Sequence, residues 1–437
     1  MLVCKFGGSS LADAEQFQKV IDIVLSNKQR RFIVPSAPGK RGPEDTKVTD
    51  LLYALYNAQM QNAPIAHIVD RICVRYEEIA RDLGLEISLK EEFNIITEKV
   101  LQGTTAAYVA SRGEYLSGKL LASALGYAFV DATEVIRFSP QGQLMEEETN
   151  KLLSTTLSKY THAVIPGFYG ADENGEVFTF SRGGSDVSGA LVARAMNADM
   201  YENFTDVTGF RMADPRIIKD AHYISNITYR ELRELSYMGA TVLHEDAVFP
   251  VRKAGIPTNI RNTNEPKHPG TMISHSADRT SIQHTITGIA GKKGFAVLAI
   301  EKDMMNSELG FGKRVLQAFE EFSLSFEHMP TGIDTLCIVT QQGELDKCKK
   351  ELLARIVELV SPDLINVHEN LALIATVGRG MVKSFGVAAR LFTAISDQGI
   401  SVRTIDQGSS ELNIIVGVNE EDFERAVCAI YDTFVRE

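Results

Sequence analysis

The chain has 437 residues, 44% of them hydrophobic, which is more than one core can organise and implies two to four domains. A formal net charge of −12 excludes broad binding to nucleic acid or to anionic membranes, while leaving room for a local basic pocket that holds phosphate. Cys4, Cys73, Cys337, Cys348 and Cys428 lack CxxC spacing, the histidines lack metal-ligand spacing, and no run of ~18 apolar residues or signal-peptide pattern occurs, so a cytoplasmic protein with no zinc site, disulfide framework or membrane span is expected.

In chain order, Met1 to Cys4 reads as a short buried strand, broken by Lys5-Phe6-Gly7-Gly8-Ser9-Ser10 and followed by a helix over Ala12 to Ser26. A strand at Arg31 to Val34 leads into Pro35-Ser36-Ala37 and a Pro/Gly-rich loop, Pro38 to Thr46; Thr49 is expected to cap the next helix. Helices dominate to about residue 126, with Ser111-Arg112-Gly113-Glu114 expected to open one that runs through Leu120. Ala128 to Asp131 and Thr161 to Phe168 read as strands, and Val177 to Phe180 as another, followed by Ser181-Arg182-Gly183-Gly184-Ser185-Asp186 and a small-residue helix to Ala195. Strands alternating with helices over about 280 residues predict a mostly parallel sheet covered on both faces, with ligands gathered at the carboxyl ends of the strands.

From about Ile286 the pattern changes to short strands separated by single amphipathic helices. Phe311-Gly312, the helix Lys313 to Glu321 and the strand Leu324 to Phe326 match Phe385-Gly386, the helix Val387 to Asp397 and the strand Ile400 to Val402. Further strands at Thr335 to Thr340 and Leu412 to Val418 complete two tandem βαββ-like units, offset by roughly 75 residues.

Four polar clusters need one explanation: Lys5 with its Gly-Gly turn, Glu114, Arg182 to Asp186, and Thr205-Asp206-Val207-Thr208-Gly209 running into Ala213-Asp214-Pro215-Arg216. A lysine beside a Gly-Gly turn offsets phosphate charge while backbone N–H groups cradle oxygens, so the first and last clusters suit a nucleotide triphosphate. Neither GxxxxGK[ST] nor a strand-to-helix GxGxxG is present, which argues against Walker and dinucleotide sites. An arginine fork matches an α-carboxylate and a glutamate accepts from an ammonium, so Arg182 with Glu114 suits an amino acid.

KFGGSS (Lys5 to Ser10), SRGE (Ser111 to Glu114), SRGGSD (Ser181 to Asp186), TDVTG (Thr205 to Gly209) and ADPR (Ala213 to Arg216), in that order, resemble the aspartokinases along nearly the whole chain. The resemblance implies the amino acid kinase fold, a three-layer αβα domain over residues 1–284, followed by two ferredoxin-like ACT units in residues 285–437. Residues 302–368 would form one unit and 285–301 with 369–437 the other. It also implies transfer of phosphate from ATP, with Mg2+, to the side-chain carboxylate of L-aspartate, as the first step toward lysine, threonine and methionine. Carried over by position, Lys5 and Asp186 would be catalytic; Ser36, Thr49, Glu114, Arg182 and Ser185 would bind aspartate. Lys5, Gly7, Gly8, Ser9, Thr205, Asp206, Arg211, Asp214 and Arg216 would bind ATP. The ACT pair implies a homodimer or a dimer of dimers and feedback inhibition, with lysine the favoured effector, held by Met304, Ser307, Phe311 and Glu327, and threonine alone or lysine with threonine the alternatives.

Three departures from the family pattern stand out: in Gly239 to Glu245, Thr241 replaces a common lysine and Glu245 a proline, and Arg211 replaces tyrosine or another uncharged residue. The competing expectations are a non-catalytic ACT amino-acid sensor and another phosphotransferase of this fold, such as a glutamate 5-kinase or uridylate kinase. A fused homoserine dehydrogenase is not expected, because no chain follows Glu437 to form it.

Overall fold

The computed structural model describes residues 1–181, 183–239, 245–275 and 284–436. The chain divides into two compact units: Met1–Phe210 with Tyr223–Tyr229 and Thr241–Ala277, and Arg211–His222 with Arg230–Ala240 and Asp278–Glu437.

The first unit contains β1 (Leu2–Phe6), β2 (Arg30–Pro35), β3 (Ala128–Phe129), β4 (Ala163–Val164), β5 (Tyr169–Ala171), β6 (Val177–Thr179), β7 (Met200–Thr205), β8 (Asn226–Thr228), β9 (Thr258–Asn262) and β10 (Thr271–Ser274). Eight of them form one sheet in the order β3-β4-β2-β1-β7-β9-β10-β8, in which only β9 and β10 pair antiparallel. The mostly parallel sheet is therefore present. β1 lies at its middle with β2 and β7 on either side, so the chain leaves β1 at a point where the strand order reverses, the usual place for a ligand crevice. β5 and β6 instead form a separate antiparallel pair. The strand before SRGGSD is thus not part of the main sheet, a distinction that an apolar run of three residues cannot carry.

The helices of this unit up to residue 195 are α1 (Ala14–Leu25), α2 (Val48–Met60), α3 (Ala66–Asp82), α4 (Lys90–Gln102), α5 (Ala106–Leu125), α6 (Ala132–Val135), α7 (Glu146–Leu157) and α8 (Gly184–Ala195). α1 starts where Asp13 accepts a hydrogen bond from the Gln16 N–H at 2.9 Å, and buries Phe17, Val20, Ile21 and Val24 along one face. Two helix boundaries differ from expectation. Lys47, in extended backbone conformation and without a side-chain capping bond, occupies the cap position of α2, and Thr49 lies inside its first turn. SRGE lies mid-way along α5, whose cap is Thr105. Gly113 therefore opens no helix and its role is packing: a Cβ there would stand 2.7 Å from Ala37 Cβ and 3.2 Å from Leu52 Cδ1.

The second unit contains one five-stranded antiparallel sheet, β12-β11-β13-β15-β14, formed by β11 (Gly288–Glu301), β12 (Thr335–Gln341), β13 (Leu364–Val377), β14 (Thr404–Asp406) and β15 (Asn413–Asn419). β11 and β13 pair along nearly their whole lengths, with a register irregularity around Gly294, where φ is +92°. One half of the sheet packs Leu298, Ile300, Phe311, Phe319, Ile338 and Ile356 into a core.

The repeat is real but its register shifts. Gly310 (φ +79°) and Gly386 (φ +78°) are the equivalent left-handed caps, each followed by an 11-residue helix, Phe311–Glu321 and Val387–Asp397. Matching Phe311 with Phe385 is wrong, since Phe311 is core and Phe385 is fully exposed. The expected strands at Leu324–Phe326 and Ile400–Val402 do not form; the first run is held at Ser325 by the Thr340 hydroxyl rather than by a ladder, and the second gives way to β14, further along.

Candidate active site

β1, β7 and α8 assemble the charged centre. Lys5 on β1 is paired in register with Asn203 on β7, so both side chains project from the same face of the sheet. Lys5 Nζ lies 2.7 Å from Asp186 Oδ1, with the two side chains 10% and 17% exposed. Asn203 Nδ2 donates to the same oxygen at 2.8 Å. Asp186 sits in the first turn of α8, where a carboxylate is favoured by the helix N-terminus, and Gly183 begins that helix with φ +56°. Two donors thus hold one oxygen of Asp186, and no described group binds its Oδ2.

The loops after β1 and β2 meet backbone to backbone. Gly39 N–H donates to Gly8 O at 2.8 Å, and a Cβ on Gly8 would stand 2.9 Å from Ala37 O. Only a residue without a side chain permits that approach, and it leaves Gly7, Gly8 and Ser9 beside Lys5 at the carboxyl end of β1. Ser36 follows β2 directly, with its N–H donating to Phe6 O at 3.0 Å, and is mostly buried.

Glu114 faces Ala37 from α5. It is 4% exposed, and its Oε2 is buried with no hydrogen-bond partner. Burial pushes its carboxyl up to about 8, against the pull of the Ala37 amide and of the positive charges on Arg112 and Lys5. A buried carboxyl oxygen with no partner costs free energy unless a ligand supplies a donor. Ser185, in the first turn of α8, is also buried and packs against Gly167, where a Cβ would lie 2.7 Å from the Ser185 Cβ. Thr49 is half-buried in the first turn of α2, and Arg182 lies outside the described residues.

Thr205 ends β7, its hydroxyl donating to Asp206 Oδ1 at 3.1 Å. Arg211, Asp214 and Arg216 belong to the second unit. Arg216 holds Asp214 in a two-pronged pair, with Nη2 at 2.6 Å from Oδ2 and Nε at 3.0 Å from Oδ1. Those hydrogen bonds from Arg216 keep the Asp214 carboxyl below its usual range. Arg211 Nη1 donates to Ala221 O at 3.0 Å, so its charge helps fasten its own loop. Thr241 lies outside the described residues.

Around the expected effector loop, Met304 has φ +62° and is exposed, and Ser307 lies in the short turn that follows. Phe311 is 4% exposed and packed in the core, which removes its side chain from contact with a ligand. Glu327 accepts from the Tyr237 hydroxyl and, at 3.3 Å, from Gln341 Nε2.

Sequence reasoning missed Asn203 and the layer beneath it. On the opposite face of β7, Glu202 receives Arg30 at 2.6 and 3.0 Å and Arg261 at 2.8 Å, with Cys4 Sγ at 3.3 Å. Burial raises the Glu202 carboxyl, but the two arginines outweigh it and leave the group below its usual value. The signal was present as two polar residues, Glu202-Asn203, inside an otherwise apolar strand.

Among the described residues no group of histidine, cysteine, aspartate and glutamate is arranged to hold a metal by itself, and no helix is long and apolar enough to cross a membrane. Residues 1–262 match the amino acid kinase family, and residues 374–434 match an ACT domain. Aspartokinase 3 of Bacillus subtilis is 38% identical, with the alignment covering 99% of this chain and 98% of that protein. The crystal structure of Clostridium acetobutylicum aspartate kinase is 48% identical, with a TM-score of 0.93 over 99% of this chain and 100% of that one. Escherichia coli aspartokinase III, 25% identical, gives TM-scores of 0.74 in a complex with aspartate and ADP and 0.73 in one with lysine and aspartate; each covers 100% of this chain, and 100% and 99% of those chains. Fold, ordered motifs and full-length similarity agree that the chain belongs to the aspartokinases of the amino acid kinase family.

Proposed function

We propose that the chain phosphorylates the side-chain carboxylate of L-aspartate with ATP to give 4-phospho-L-aspartate, and that Glu114, Lys5 and Asp186 carry the reaction's charge. The observation that supports this most directly is the buried, partnerless Glu114 Oε2, which suits the α-ammonium of an amino acid. Arg182 is assigned the α-carboxylate, with Ser36, Thr49 and Ser185 around it. The complex of the Escherichia coli relative with aspartate and ADP supports the same substrates.

An aspartate side chain with an ordinary pKa near ~4 is ionised at neutral pH, so no general base is needed. One carboxylate oxygen forms a bond to the γ-phosphorus while the bond from that phosphorus to the β,γ-bridging oxygen breaks. The electron pair leaves with ADP, and no proton moves. Lys5 stabilises the charge that develops on the transferring group, Asp186 and Asn203 fix the direction of its ammonium, and the N–H groups of Gly8 and Ser9 hold phosphate oxygens, while the Gly7 N–H, which donates to Phe204 O at 3.0 Å, anchors the turn beneath them. The oxygen donors of this site fit magnesium, which Asp186 would hold through Oδ2, with Asp206 at the end of β7 as a further oxygen ligand. Bound with the nucleotide, magnesium supplies neutralisation of phosphate charge. Thr205, Arg211, Asp214 and Arg216 are assigned to the nucleotide.

Lysine is proposed as the feedback inhibitor, with its ammonium at Glu327 and its contacts at Met304, Ser307 and the backbone of Phe311. The lysine complex of the Escherichia coli relative supports this choice. Assembly is proposed as a homodimer, or a dimer of dimers, through the ACT region, in the cytoplasm. The test is ATP-dependent formation of hydroxylamine-trappable acyl phosphate from L-aspartate, with lysine and threonine arms. Acyl phosphate that lysine suppresses is expected; no acyl phosphate overturns the kinase reading, and insensitivity to lysine overturns the effector assignment.

A further inference from the structure

On the side of α5 away from Glu114, a cavity of about 410 Å³ opens among α4, α5, and the segments around Asp131 and Asp172. Arg112 lines it and is 6% exposed. Its guanidinium lies over three aromatic rings, Tyr108 at 4.6 Å, Tyr115 at 4.5 Å and Tyr169 at 5.3 Å. Its Nε and Nη2 both donate to Ser111 Oγ, at 3.1 and 2.9 Å, and no described group accepts from Nη1. Among the described residues Arg112 forms no ion pair, and neither does Lys99, whose Nζ stands 4.7 Å from the centre of the same Tyr108 ring.

Buried charges are normally paired, and ring faces replace only part of the lost hydration. Among the described residues, none of the acids on the cavity wall pairs with Arg112 or Lys99: Glu92 is paired with Lys119, while Asp131 and Asp172 are bonded by neutral donors alone. Glu92 also accepts from the Tyr115 hydroxyl, Asp131 from the Tyr169 hydroxyl and the Thr133 N–H, and Asp172 from its own turn; Glu173 is solvent-exposed. The third cation, Arg137, is spent on the Asp172 carbonyl at 2.5 Å. Among the described residues, the cations left unpaired at the wall are Arg112, buried with one open guanidinium nitrogen, and Lys99, exposed at the rim; both lie beside aromatic faces.

We propose that this cavity is a binding site for a small anion bearing a carboxylate or phosphate group, held by Arg112 and Lys99 and separate from the substrate site at Lys5 and Glu114. The anionic group takes the Arg112 Nη1 donor, and the rings of Tyr108 and Tyr115 cover its apolar part.

The test is isothermal titration of the full chain with inorganic phosphate and, separately, with benzoate. Saturable binding of at least one is expected, weakened about tenfold in Arg112→Met and severalfold in Lys99→Met, and unchanged in Lys5→Ala. Phosphate alone would identify a phosphorylated ligand, and benzoate alone an organic acid. Circular dichroism checks folding; if Arg112→Met does not fold, Lys99→Met, which alters an exposed side chain, decides. Absence of binding by both anions overturns the proposal, as does binding that Lys5→Ala abolishes and Lys99→Met leaves intact.

Discussion

Glu114 makes the sharpest prediction, because its chemistry depends on a proton. Its carboxyl is raised to about 8 by burial, so at pH 7 the free site holds mostly the neutral acid. An ammonium ligand prefers the carboxylate, and ionising the group one unit below its pKa costs about 1.4 kcal/mol, a factor of ten in affinity. Aspartate affinity in the absence of nucleotide should therefore rise about tenfold per pH unit from pH 6 to pH 7 and level off above pH 8. Calorimetric titration of aspartate across that range measures it. Glu114→Gln should bind more weakly and with a flat profile. Stability gives a second readout with a defined sign. Because the folded state holds the proton more tightly than the ordinary value of 4.5, the contribution is full below 4.5 and is lost as pH rises toward 8. Glu114→Gln should flatten that decline in urea unfolding. A flat wild-type affinity profile, or the same slope in the variant, would refute the reasoning.

Other substitutions probe the remaining parts. Lys5→Ala should lower kcat by ~10² or more with KM for aspartate nearly unchanged, since the loss falls on transition-state charge; steady-state kinetics within a fewfold of wild type would remove Lys5 from its role. Gly113→Ala would gain about 1 kcal/mol from helix propensity alone, yet the 2.7 Å approach to Ala37 should reverse the sign and cost ~1–3 kcal/mol in urea unfolding. Glu202→Gln, which leaves Arg30 and Arg261 facing a neutral group, should cost ~3–5 kcal/mol. Because the Glu202 carboxyl is depressed in the fold, its contribution is present above the usual glutamate value and lost in acid, so the variant should also show a flatter acid limb. Glu327→Ala should weaken lysine inhibition while uninhibited kcat stays close to wild type; unchanged inhibition would move the effector elsewhere.

Local chemistry made much of this protein legible from its residues alone. The alternation of strands and helices foretold the mostly parallel sheet, and a lysine, a glycine pair and two acids in a fixed order are informative because phosphate and amino-acid recognition demand those groups whatever surrounds them. The repeat in the last third was likewise visible, since each unit must restart the same strand and helix pattern. Positions that depend on a distant neighbour were not. Gly113 looks like a helix start until Ala37 is seen against it, and Val177 to Thr179 looks like a sheet strand until it pairs with Tyr169 to Ala171 instead. Asn203 gained meaning only when β1 and β7 were placed side by side, 198 residues apart in sequence, with Asp186 delivered above them by α8. Burial is the common reason: it raises the Glu114 carboxyl and leaves Arg112 without a carboxylate, and it is a property of the packed chain rather than of any stretch of it.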